Sequence, residues 1–216
     1  MTAMSALTGS VGFSAIDINN LGLMVGSNNG HAAAFSTSTG LYGLGSIGGN
    51  LSIALASNDH GQAVGYAENG SFIEHAFLYD SSSGMVDIGA SLGSTVMSQA
   101  YGLNESGSVV GRYSPTGNGL RAFLYSGADG FVDLNTLIDQ SSGWTLISGQ
   151  GISADGQITG FGLYAGQISA FVLTPVNAVP EPETVLLLMA GLALLAPIQA
   201  RASKRNRAGR QPSRKS

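Results

Sequence analysis

Cysteine is absent from all 216 residues, which excludes disulfide staples and thiolate metal centres. Charge is almost as scarce, at 10% of the chain, and it is unevenly placed. Before residue 179 only Arg112 and Arg121 are basic, against eleven acidic residues. So acidic a domain lacks the basic surface that nucleic-acid phosphates require, so nucleic acid is not an expected partner. No Gly-x-Ser-x-Gly elbow or phosphate loop is present. Gly43, Gly45 and Gly48 match a Gly-x-Gly-x-x-Gly string, but without a strand–helix unit around it the match is chance in a chain of 32 glycines. Residues 1–7 have neither a basic stretch nor a long apolar run, so they do not read as a secretory signal. That reading leaves either a start placed too late or a fragment.

Glycine, in contrast, is abundant and periodic. One unit recurs four times, with a turn at Asn19, Asn58, Asn104 and Ser153 that reaches Gly22, Gly61, Gly107 and Gly156 three residues later. A Val-Gly strand follows, ending at Gly26, Gly65, Gly111 and Gly160, with Thr159 replacing Val in the last copy. The next landmark is Ala34-Phe35, His75-Ala76-Phe77, Arg121-Ala122-Phe123 and Ser169-Ala170-Phe171. Met85-Val86-Asp87-Ile88 and Phe131-Val132-Asp133-Leu134 form a third landmark in two units. Asn or Asp caps its own turn and Gly supplies φ > 0, so each Asn-x-x-Gly reads as a hairpin. The β-branched and aromatic runs between them are strand-sized.

The fold class expected is all-β: four blade-like repeats of about four short antiparallel strands, propeller-like. The unit boundaries are 11–50, 51–96, 97–143 and 144–175, within a domain spanning 1–175. The fourth unit stops after Phe171-Val172-Leu173 with no closing strand. Residues 6–11 stand where a preceding unit's last strand would be. Either they complete the last blade and close a four-bladed ring, or residues 1–14 are the cut end of a longer propeller. An open stack or solenoid has the same period.

The tail has three parts. Pro180-Glu181-Pro182 lies in a linker (176–183), followed by seventeen residues, 184–200, in which only Thr184 and Gln199 are clearly polar. Seven of the nine Lys and Arg come after it, among them Arg201, Lys204, Arg205 and Arg207. As a helix the apolar run is about 25 Å long, near the lower limit for a membrane span. The basic segment 201–216 would stay cytoplasmic. Two prolines keep Pro180 to Pro182 extended and outside the helix.

That order of motif, span and basic end resembles the PEP-CTERM sorting signal of Gram-negative bacteria. The resemblance implies an exosortase as partner, which would read Pro180, Glu181 and Pro182 and remove the tail. It implies a precursor anchored in the inner membrane with a periplasmic N-terminal domain, then delivery to the cell surface or extracellular matrix. The repeats, over about residues 5–175, resemble the HAF family of extracellular repeats, named for the motif standing here at His75-Ala76-Phe77, and no defined activity comes with it.

Chemistry in the repeats is sparse. His31, His60 and His75 do not cluster by spacing, and no metal or cofactor is expected. Asp87 and Asp133 share a slot, which points to a hydrogen-bonding role within the blade. Glu68, Glu74, Glu105 and Asp139 are unpatterned. Asp17 to Gly22 resembles a calcium loop superficially, yet Leu21 occupies a ligand position and no Glu follows at the right distance, so it reads as a turn. Phe35, Phe77, Phe123 and Phe171 read as core, recurring in register. Trp144, Tyr66 and Tyr113 are unpatterned rings of the kind that stacks on sugars or covers blade edges. Two functions remain: a non-catalytic surface scaffold with exopolysaccharide as candidate ligand, and a glycan-active enzyme with a carboxylate site.

Overall fold

The chain divides into two units, Met1–Thr174 and Pro175–Ser216. The computed structural model describes residues 9, 11–115 and 119–176. The expected span at 184–200, the basic segment 201–216 and Pro180 to Pro182 lie outside the described residues. Among the described residues no helix is long and apolar enough to cross a membrane.

Among the described residues fifteen strands form four antiparallel meanders in chain order. Sheet one holds β1 (Phe13–Ile18), β2 (Met24–Asn28), β3 (His31–Ser36) and β4 (Gly40–Gly43). Sheet two holds β5 (Gly48–Ser57), β6 (Ala63–Asn69), β7 (Glu74–Asp80) and β8 (Gly84–Asp87). Sheet three holds β9 (Ser98–Leu103), β10 (Val109–Tyr113), β11 (Arg121–Ser126) and β12 (Gly130–Asp133). The last sheet has three strands, β13 (Trp144–Ile152), β14 (Ile158–Tyr164) and β15 (Gln167–Leu173).

The first strand of each sheet lies across the face of the sheet before it. β5 packs on β1, β2 and β3, β9 on β5, β6 and β7, and β13 on β9, β10 and β11. A middle sheet is therefore buried on both faces, which strand alternation divides between two cores. Phe77, Ala63 and Ala67 of sheet two join Val25, Ala32 and Ala34 of sheet one. Ala76 and Val64, one residue away in each strand, join Ala100, Val109 and Phe123 of sheet three. Val110 and Ala122 then meet Leu146, Ile158 and Phe171 of sheet four. Full burial of one such phenylalanine is worth about 2–3 kcal/mol.

Two glycines per unit are required by geometry. Gly22, Gly61, Gly107 and Gly156 have φ of +79, +76, +79 and +82°, as their turns demand. Gly26, Gly65, Gly111 and Gly160 lie on the strand, where a Cβ would meet the carbonyl oxygen of Ser14, Ile53, Gln99 and Ser148 at 1.9–2.1 Å.

Side chains hold the four turns in line. Asn58 Oδ1 accepts from the backbone N–H of His60 (3.2 Å) and Gln62 (3.0 Å), closing its own turn. Its Nδ2 donates to the carbonyl of Asn104 (3.1 Å) in the next sheet. Asn19 likewise donates to the Asn58 carbonyl (2.7 Å), and Asn104 to the Ser153 carbonyl (3.0 Å). A second row runs beside it. The Asp59 carboxylate accepts from the backbone and side chain of Asn20 (2.9 and 2.8 Å), and Glu105 accepts from the Asp59 N–H at 3.1 Å. Ser153 closes its turn through Oγ, which accepts from Gln157 N–H (2.9 Å), and it has no amide to pass the ladder on.

Two expectations are corrected. Among the described residues no ring is closed, because extensive packing runs only between successive sheets. Sheet one covers its outer face with its own Phe13, Phe35 and Leu41, and sheet four ends at β15. The segment expected to complete the last blade lies mostly outside the described residues.

The motif register of the first unit is also shifted by two. Gly65, Gly111 and Gly160 pair with Phe77, Phe123 and Phe171, but Gly26 pairs with Ala33. His31-Ala32-Ala33 is thus the true counterpart of His75-Ala76-Phe77. The backbone N–H of Ala32 and Ala76 agree, donating to Ser52 Oγ and Ser98 Oγ of the following sheets at 2.8 and 3.0 Å. Phe35 stands where Tyr79 and Tyr125 stand. A ring at position 33 would face no neighbouring sheet among the described residues, and Ala is found there.

Replacing Asn58, 2% exposed, with Ala unties its own turn and the rung to Asn104. We expect Asn58→Ala to lower unfolding stability by about 2–3 kcal/mol. Asn20→Ala, on the exposed row, should cost about 1 kcal/mol or less. Urea midpoints of the two variants at unchanged slope would decide it, and equal losses would reject the buried ladder as the dominant tie.

Candidate functional site

Most of the acids that looked unassigned have structural partners. Glu105 belongs to the second row and also faces His60 Nδ1 at 3.1 Å. Asp139 accepts from Ser141 N–H at 2.8 Å, and this bonding holds its carboxyl below the usual range. Asp17 accepts from the backbone and hydroxyl of Ser57 (2.8 and 3.0 Å), so the calcium-loop lookalike is an inter-sheet tie.

Asp87 and Asp133 do form hydrogen bonds within their blades. Asn69 Oδ1 accepts from the N–H of Ser71 (2.8 Å) and Ile73 (3.1 Å), which fixes its amide orientation. Its Nδ2 therefore donates to the Ser94 carbonyl (2.8 Å) and to His75 Nε2 (3.0 Å). With Nε2 accepting, the imidazole proton sits on Nδ1 and is donated to Asp87 at 2.9 Å. His75 is 1% exposed and saturated by these partners, so it is a structural pin. In sheet three Asp133 accepts from Tyr113 Oη (3.0 Å), with Arg121 at 3.8 Å. Arg121 thus occupies the place of His75. Among the described residues no group of three or more His, Asp or Glu is placed to hold a metal.

Glu68 and Glu74 are different. They sit directly opposite each other on β6 and β7, so both side chains leave the same face. With Tyr66, Leu51, Ile53 and Gly30 they line a cavity of about 130 Å³. Glu68 is steadied by the N–H of Asn50 (3.2 Å) and Leu51 (3.3 Å). Glu74 accepts from Gln99 Nε2 of the next sheet, and Tyr101 Oη donates to Gln99 Oε1. Arg112 Nε donates to the same oxygen at 2.9 Å, and its guanidinium lies 5.5 Å from the Tyr101 ring centre. Burial raises the Tyr66 phenol, helped by the Glu74 charge and opposed by Arg112. Tyr101 is raised by burial against the pull of Arg112. Both phenols are thus neutral donors at physiological pH.

The hairpin joining the two glutamates adds an exposed ring. Phe72 is 64% exposed and held at φ +59°, a conformation unfavourable for a bulky residue. Of the rings singled out from the sequence, Tyr66 is in the cleft. Tyr113 is buried, and Trp144 packs on Tyr164 and Phe171 at 5.0 and 6.3 Å between ring centres. Phe72 escaped the sequence reading. Its one signal was an aromatic inside an Asn69-Gly70-Ser71 turn.

Tyr113 supplies a pH test of the blade pin. Burial and its bond to Asp133 push this phenol from 10.0 up to about 12. Because the folded value is raised, the stabilisation is present below pH 10 and is lost as pH climbs from 10 towards 12. Tyr113→Phe should remove a phenol titrating near pH 12 from an absorbance titration and flatten the stability loss over that window. An unchanged titration curve would contradict the buried Tyr113–Asp133 bond.

No curated protein and no solved structure matches the chain. The model of the PEP-CTERM protein-sorting motif matches residues 178–205, which include Pro180 to Pro182 and Arg201, Lys204 and Arg205. This motif marks an exported protein, made as a membrane-anchored precursor and recognised by an exosortase. A second model matches residues 48–185, from the start of β5 through the last sheet and into the linker. Over more than half its length, therefore, the chain belongs to the family described as protein of unknown function (DUF3466).

Proposed function

We propose that the protein is a non-catalytic scaffold of the cell surface or extracellular matrix, whose Glu68–Glu74 cleft binds a neutral exopolysaccharide. The observation that carries the first half is the sorting motif at 178–205 behind a stack of repeated sheets. In this reading the exosortase acts on Pro180, Glu181 and Pro182, residues 184–200 hold the precursor in the inner membrane, and Arg201, Lys204, Arg205 and Arg207 keep its end cytoplasmic. The repeats are of the HAF type.

Support for the glycan comes from the cleft. Two carboxylates accept hydroxyl protons, Tyr66 offers a donor and an apolar face, and Phe72 offers an exposed ring for stacking. An excess of nine acidic residues before position 179 repels polyanions at low salt, which favours a neutral sugar chain. The carboxylate pair is also what the glycan-active reading would use. That reading is weaker, because each glutamate already accepts bonds that fix it as an acceptor.

Expression of the full chain behind a functional secretion signal, with and without an exosortase, tests delivery. Intact mass should show a surface product ending near residues 180–183 only when the enzyme is present; an uncut product in both hosts would reject the sorting role of Pro180 to Pro182. For the cleft, Phe72→Ala and Glu68→Gln should each weaken retention on a neutral glycan matrix about tenfold. Hydrolysis of that matrix by wild type, lost in Glu74→Gln, would instead establish the enzyme.

A further inference from the structure

The last sheet lacks, among the described residues, the short strand that closes each of the other three. In sheet three that strand puts Phe131 against Phe123, with ring centres 4.3 Å apart. Three residues further on, Leu134 is buried, as are Leu44 after β4 and Ile88 after β8. The fourth-strand pattern is therefore a large apolar residue followed, three positions later, by a fully buried one: Leu41 and Leu44, Met85 and Ile88, Phe131 and Leu134.

Phe171 occupies the place of Phe123, and beside it runs an apolar groove of about 280 Å³ lined by Ile138, Trp144, Leu146, Phe171, Val172 and Leu173. Among the described residues the sheet stops at β15, so the groove is bordered there by a strand edge. Such an edge is a template for β-addition.

The N-terminal stretch, outside the described residues, carries the missing pattern in its sequence. Met4 and Leu7 repeat the spacing of three, and no residue from Thr2 to Gly9 is charged, which suits an apolar groove. The three closing strands are only four residues long, and residues 4–7 are as long. Sheets one and four share no extensive packing. Apolar side chains are exposed at both ends of the stack, Ile16 and Ile18 in the first sheet, Ile168 and Val172 in the last.

We infer that residues 4–7 of a second copy of this chain add to β15 as its fourth strand, with Met4 over Phe171 and Leu7 in the position of Leu134. Copies joined this way stand head to tail. The contact is heterologous, and the assembly is an open filament unless the rotation per copy happens to close it. A surface scaffold would gain length from it without any further domain.

The test uses full-length chains in the same detergent, so that association through the tail is common to all. Leu7→Asp disables the donor and keeps the groove; Val172→Arg blocks the groove and keeps the donor. Wild type should show a concentration-dependent ladder of species in sedimentation, absent from each variant alone. The two variants mixed should give one-to-one dimers and nothing longer. Trp144 is the chain's only tryptophan and lines the groove, so its emission should shift when a peptide copying residues 1–10 is added to Leu7→Asp. A scrambled peptide should leave it unmoved. Wild type that stays a single species while the peptide still shifts Trp144 in Leu7→Asp would overturn the second copy as occupant, placing the strand within one chain. No shift and no ladder would overturn the site itself.

Discussion

The domain depends on four turns that cannot satisfy themselves. Each exposes backbone amides at the end of a hairpin, and each binds them with a side-chain oxygen of Asn19, Asn58, Asn104 or Ser153. In the three asparagines the other half of the amide is then free to reach the next turn. One residue type thus closes the local turn and sets the distance and register to the neighbouring sheet. Ser or Asp would serve the turn as well, but neither has a second group that donates across the gap. A sheet such as β5–β8 buries its two apolar faces only against its neighbours, and without a packed second layer it has no core of its own. The ladder and the shared cores make the stack, rather than the single sheet, the unit that folds.

This explains why so much of the architecture was readable and where the reading slipped. Asn-x-x-Gly recurs at a nearly constant interval because turn and ladder both require it, and the strand counts followed, including the fourth unit's lack of a closing strand among the described residues. The shift in the first unit was not readable. Phe35 follows Ala34 as Phe77 follows Ala76, and only the pairing of Gly26 with Ala33 shows that the motif has moved by two. Sequence similarity followed the ring, whereas the fold follows the glycine that must approach a carbonyl. Ring closure was left open by the sequence for a related reason: periodicity reports how each sheet meets the next and is silent on whether the last meets the first.

The same logic separates structural from functional side chains. An acid whose slot recurs, such as Asp87 or Asp133, serves the blade, and the structure supplies its donor. Glu105 looked unpatterned only because its predecessors in the second row are Asn20 and Asp59, which differ in type while sharing a role. Glu68 and Glu74 have no counterparts in the other sheets. Their pairing across β6 and β7 was hidden because the hairpin between them had to be closed at the right length before they could face each other. Phe72 was hidden for the opposite reason, since nothing in its local pattern distinguishes an exposed ring from one that folds under its turn.

The departures of the fourth unit form one physical set. Ser153 ends the ladder, and Thr159 replaces on the outer face the valine that sheet three turns towards its neighbour as Val110. Both changes make the last sheet less able to receive another sheet against its face. Neither touches the groove beside β15, where Phe171, Trp144 and Val172 remain apolar. A sheet capped on its face and open at its edge is poor at extending the stack by packing, yet well suited to accept a single strand. Under the proposed surface role, that would restrict growth of an assembly to one geometry and leave the Glu68–Glu74 cleft, two sheets away in the chain order, outside the joint.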